Sequence, residues 1–141
     1  MITEEQFIQS LLIQRVKIGG MNWEVVPHLQ AMGYTPYAIV GANDKLLKET
    51  SVVTLKQGPD AVQWLGKFSD TITEEKLIRA IYWQCFKVGL KPKDTRMLIS
   101  DFGFKKEIIM KALDEAKDEA ILDGKEINRL TAPSAIEILG N

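Results

Sequence analysis

Apolar side chains recur along this chain at intervals of three and four residues, the spacing that lines one face of a helix. In the stretch that opens Thr3-Glu4-Glu5, an N-cap residue followed by acids, Phe7, Ile8, Leu11, Leu12, Ile13 and Val16 form such a run, and it stops at "KIGG". The pattern predicts a helix over about 3–18 (helix A), a second over about 23–32 ending at Gly33, and a third over about 36–48. "TSVVTLKQ" (50–57) is β-branched and predicts a strand, and a short helix over about 59–67 closes the series.

The series then restarts. Helix A returns over about 73–88, the second helix over about 93–102 before Gly103, and the third over about 105–119. "AILDGKEINRL" (120–130) predicts two short strands around an Asp-Gly turn, and a last helix follows over about 133–139. Sliding the chain by 70 residues gives 13 identities between 2–50 and 72–120, among them Gln14/Gln84, Lys17/Lys87, Gly19/Gly89 and Gly33/Gly103. Roughly three would arise by chance from average residue usage. With four extra residues in the second half, "GPDAVQWLG" (58–66) lies over "APSAIEILG" (132–140). The expectation is a tandem duplication: a mainly α protein of two repeated helix-turn-helix units, residues 1–70 and 71–141, each with a short β-strand or wing.

Helix, helix-turn-helix and strand pair is the order of a winged-helix domain, and "MLISDFGFKKEIIMKALDEAKDEAILDGKEINRLT" (97–131) resembles that family, with Gly103, Ile109 and Ala112 where the family places them. The first half departs from the pattern: Pro27 and Pro36 fall at or near helices, and no wing hairpin is visible after Val53, so its wing reduces to one strand. A weaker resemblance is to ubiquitin-associated three-helix domains, carried by "MGY" (32–34), "FGF" (102–104), "KAL" (111–113), "AVQWL" (61–65) and "AIEIL" (135–139). That alternative leaves helix A and residues 120–130 unexplained.

Both A helices are apolar around most of their circumference, the second through Leu77, Ile78, Ala80, Ile81, Tyr82, Trp83, Cys85, Phe86 and Val88. Such a helix is covered on more than one side. Packing of the two A helices on each other is the simplest expectation, and a homodimer through helix A is the alternative.

Composition narrows the chemistry. No apolar run approaches the roughly 20 residues of a membrane span, and Glu4 and Glu5 stand where a signal peptide would be basic, so a cytoplasmic protein is expected. One cysteine, Cys85, and one histidine, His28, make a metal centre an unpromising reading, and no cofactor-binding motif occurs. Cys85 reads as an inert buried thiol and His28 as a half-exposed structural residue, so no catalytic residue is assigned and an enzyme is not expected.

Charge supplies the functional lead. The formal net charge is −1, yet Lys91, Lys93, Arg96, Lys105 and Lys106 cluster at the starts of the second and third helices of the second unit, with Lys111 further along. From those places a helix-turn-helix touches phosphates and offers a helix N-terminus to the major groove. The leading expectation is a non-enzymatic accessory or regulatory protein that binds duplex DNA, with Lys111 the basic residue nearest a base edge. The alternative is a protein-interaction adaptor whose partner surface holds Tyr34, Tyr37 and Trp64.

Overall fold

A computed structural model describes residues 1–122 and 125–140, and the chain is mainly α-helical. It divides into two compact units, Met1–Ile72 and Thr73–Asn141.

In the first unit α1 (Glu4–Lys17) is followed by a 3-10 turn (Asn22–Val25), α2 (Val26–Ala31), α3 (Pro36–Glu49), α4 (Val52–Gln57) and α5 (Ala61–Leu65). A reciprocal capping box starts α1: Thr3 Oγ1 accepts the Gln6 amide at 3.1 Å, and Gln6 Oε1 accepts the Thr3 amide at 3.0 Å. Pro27 and Pro36 each occupy the first turn of a helix, where the missing N–H removes no intrahelical bond. α1 is the central element and packs on the 3-10 turn, α3, α4 and α5. Phe7, Ile8, Leu11, Ile13 and Val16 are fully buried along it.

The strand predicted over 50–57 is a helix, α4, which leaves no single-strand wing there. β-propensity is a weak preference that tertiary contacts override. Ser51 caps the helix by accepting the Thr54 amide at 3.2 Å, and Leu55 is buried. At its other end the Lys17 ammonium donates to the carbonyls of Gly58 at 2.8 Å and Lys56 at 3.5 Å, placing a cation where the helix dipole is negative.

The second unit runs α6 (Glu74–Val88), α7 (Pro92–Ser100), α8 (Lys106–Glu119), a two-residue antiparallel pair β1 (Ile121–Leu122) and β2 (Lys125–Glu126), and α9 (Ala135–Leu139). The predicted Asp-Gly turn between the strands lies outside the described residues. α6 is the centre, packed on α7, α8 and α9, with Leu77, Ile78, Ala80, Ile81, Trp83 and Cys85 buried. Several helices of its own unit pack on each A helix, and Tyr82, Phe86 and Val88 of α6 stay partly exposed.

The same devices appear at matching positions of both units. Among the described residues the positive-φ glycines are Gly19 and Gly33 in one and Gly89 and Gly103 in the other, each at the end of a helix or in the turn beyond it. Gln14 Oε1 accepts the Ala61 amide at 3.2 Å, and Gln84 Oε1 accepts the Ala135 amide at 3.1 Å. Lys87 donates to the Ala132 carbonyl at 2.7 Å, as Lys17 does to Gly58.

Candidate nucleic-acid interface

Two helix starts define the candidate surface. Lys91 is the N-cap of α7, with Pro92 in its first turn, and Lys105 is the N-cap of α8. Neither carries a side-chain acceptor for the first amides, whereas Thr3, Thr35, Ser51, Asp60, Thr73 and Ser134 cap α1, α3, α4, α5, α6 and α9 through their oxygens. A lysine cannot satisfy these donors, because an ammonium has no acceptor. The first turns of α7 and α8 therefore lack a side-chain acceptor, and they carry the cations Lys93 and Lys106 together with the carboxylates Asp94 and Glu107.

Lys91, Lys93, Arg96, Lys105, Lys106 and Lys111 are all exposed. Burial of Thr95, Leu98 and Ile99 on α7 and of Ile109, Ala112 and Ala116 on α8 fixes which faces turn to solvent. Lys111 differs from the other five: it pairs with Glu75 at 3.5 Å, so its use at a base edge requires release of that carboxylate. Exposed Met97 and Met110 add apolar contact area to the same two helices.

The acidic end of α8 is partly engaged elsewhere. Arg79 of α6 reaches Glu115 at 3.3 Å and Glu119 at 2.8 Å, and the Trp83 indole donates to Glu119 at 3.3 Å. These bonds tie the C-terminal half of α8 to the core helix and leave Asp114 and Asp118 exposed, toward the end opposite the lysines.

The matching positions of the first unit carry no basic residue: at an offset of 70 the six are Met21, Trp23, Val26, Thr35, Pro36 and Gly41. There the surface is apolar instead, with Tyr37 91% exposed, Trp23 62% and Val40 57%. Of the three aromatic candidates, Tyr34 is buried against Phe7, with ring centroids 6.0 Å apart, and offers nothing to a partner. Tyr37 stands free on α3, and Trp64 is half-buried on α5, edge-on to Phe68 at 5.0 Å. The structure does not assemble these three into one patch. Trp23 was missed by sequence reasoning, although its place before an acid in a short turn hinted at exposure.

The remaining reactive groups are quiet. Burial pushes the Cys85 thiol up to about 12, partly offset by a hydrogen bond with Thr95, so almost no thiolate exists near neutrality. His28 is half-buried. Among the described residues no group of three His, Cys, Asp or Glu side chains could hold a metal ion, and no helix is long and apolar enough to cross a membrane.

Comparison with known proteins finds no matching family model, no matching curated protein and no matching solved structure.

Proposed function

We propose that the chain is a non-enzymatic, cytoplasmic accessory or regulatory protein that binds duplex DNA through its second unit, read as the second of two tandem winged-helix repeats. The observation that carries the reading is the pair of uncapped, lysine-flanked helix starts at Lys91 and Lys105. In this reading α7 and α8 are the helix-turn-helix, β1 and β2 are the wing, and Lys125 on β2 adds a further cation. Lys91, Lys93, Arg96, Lys105 and Lys106 contact phosphates, which fixes position without reading sequence. The acidic second half of α8 stays off the duplex, since carboxylates near phosphate repel.

Five phosphate contacts imply a log–log salt slope near about −4.5, or roughly 500-fold weaker binding between ~50 and ~200 mM salt. Titration of labelled random duplex DNA at those two concentrations tests the reading. Absence of binding at the lower salt rejects it, as does affinity that Lys105→Glu/Lys106→Glu leaves unchanged.

A second reading, an interaction adaptor, is favoured by the exposure of Tyr37 and Trp23 in the first unit. Aromatic anchors of this kind dominate binding energy where they become buried against a partner. Tyr37→Ala then weakens partner capture while DNA affinity is unchanged.

A further inference from the structure

The first unit holds a cleft of about 580 Å³ whose wall includes Leu46, Leu55, Pro59, Trp64 and Phe68, with Lys45, Lys48 and Lys67 among the polar residues lining it. Its volume is within the roughly 300–1,000 Å³ of small-molecule pockets, so it has room for a large side chain and part of the segment that carries it. We propose that this cleft is a docking site for a linear peptide segment of a partner protein, one with a single large apolar side chain flanked by acidic residues. The proposal does not depend on the DNA reading, which concerns the other unit.

Three observations select that occupant. First, α4, one wall of the cleft, stands where the other unit has the β1–β2 pair, so the two units differ in this wall. Trp64 occupies the position of Ile138, which is buried, yet Trp64 itself remains half-exposed over the cleft. A large aromatic that contributes only part of its surface to the core leaves the remainder for an apolar anchor. Second, the charges are unbalanced. Lys45 pairs with Glu5 at 3.1 Å, but among the described residues Lys48 and Lys67 have no acidic partner, and Glu49 offsets only one of them. The excess cation favours an acidic flank, which also speeds encounter. Third, the rings of Trp64 and Phe68 meet at 72° rather than lying parallel. A T-shaped pair cannot sandwich a nucleobase, but it forms a corner that an aliphatic or aromatic side chain fills.

The test is selection of a displayed random-peptide library on the intact 141-residue chain, followed by affinity measurement with fluorescein-labelled synthetic copies of the enriched peptides. The expected peptides carry one Leu, Phe or Trp beside Asp or Glu. They bind at least tenfold more weakly to Trp64→Ala and to Lys48→Glu/Lys67→Glu; the latter pair is exposed and leaves the fold intact, as circular dichroism checks. Enrichment of basic peptides, no enrichment at all, or affinity unchanged in the charge-reversed protein overturns the proposal. So does a labelled oligo-dT that competes for the cleft and is lost on the same substitutions, which assigns the cleft to single-stranded nucleic acid.

Discussion

The Gln84 side-chain oxygen accepts the backbone amide of Ala135 at 3.1 Å, closing the start of α9 onto α6 across 51 residues of chain. Gln14 makes the same bond to Ala61 over 47 residues. In each case the accepted amide is at the first residue of a short helix, one of the donors that the helix itself cannot satisfy. Each glutamine therefore fixes the last helix of its unit by a specific bond as well as by apolar contact.

Replacement of either glutamine by leucine keeps the bulk but strands a buried or part-buried amide. Each substitution is expected to destabilise its unit by about 1–3 kcal/mol, read as a lower urea midpoint at an unchanged slope. Gln14→Leu acts on the first unit and Gln84→Leu on the second, so tryptophan fluorescence of single-Trp variants keeping Trp64 or Trp83 separates the two effects.

Gly19 and Gly41 give a matched pair of glycine tests. A Cβ at either position meets nothing within 4 Å, but Gly19 has φ +104° whereas Gly41 lies within α3. Gly19→Ala is expected to destabilise by roughly 1–2 kcal/mol through left-handed strain alone. Gly41→Ala is expected to stabilise by about 0.5–1 kcal/mol, because alanine removes backbone freedom from the unfolded chain and favours the helix. Thermal melts of the two variants with opposite signs would bear this out; a Gly19→Ala variant that melts no lower than the parent would count against the left-handed conformation at residue 19, and a destabilised Gly41→Ala would count against the helix argument at residue 41.

Cys85 sets a pH dependence. Its thiol is raised from 9.0 in the unfolded chain to about 12 in the fold, chiefly by burial. A group raised on folding contributes stability that is fully present below the unfolded value and is lost as pH rises through the folded one. Stability is expected to fall between about pH 9 and 12, and Cys85→Ala flattens the curve in that window. A thiol reagent at pH 8 labels the native protein slowly and the urea-unfolded protein at once.

Lys111 should behave differently from Lys105 in DNA binding. Its ammonium already faces Glu75 at 3.5 Å, whereas Lys105 stands at an uncapped helix start. Lys105→Ala is expected to reduce the salt slope by about one and weaken binding uniformly across sequences. Glu75→Gln, which frees Lys111, is expected to strengthen binding, and an unchanged affinity would remove Lys111 from the interface.

Local chemistry was legible in the sequence. Thr3 and Thr73 mark helix starts because a hydroxyl next to acids satisfies free amides, and Gly33 and Gly103 mark turns because only glycine takes a positive φ without strain. The basic residues of 91–111 could be located on helix starts, since that assignment needs only the order of elements. Other features depended on contacts between residues far apart in the chain. Residues 52–57 have strand-like composition yet form α4, because Ser51 caps them, Leu55 finds a buried site and Lys17, some 40 positions away, binds the carbonyls at their end. Tyr34 and Tyr37 are three residues apart and chemically alike, but one packs on Phe7 and the other faces water, a difference set by which side of the turn meets α1. Periodicity and capping are short-range properties that a sequence carries openly. The partner of Lys111 and the helix at 52–57 are settled only once the chain has folded back on itself.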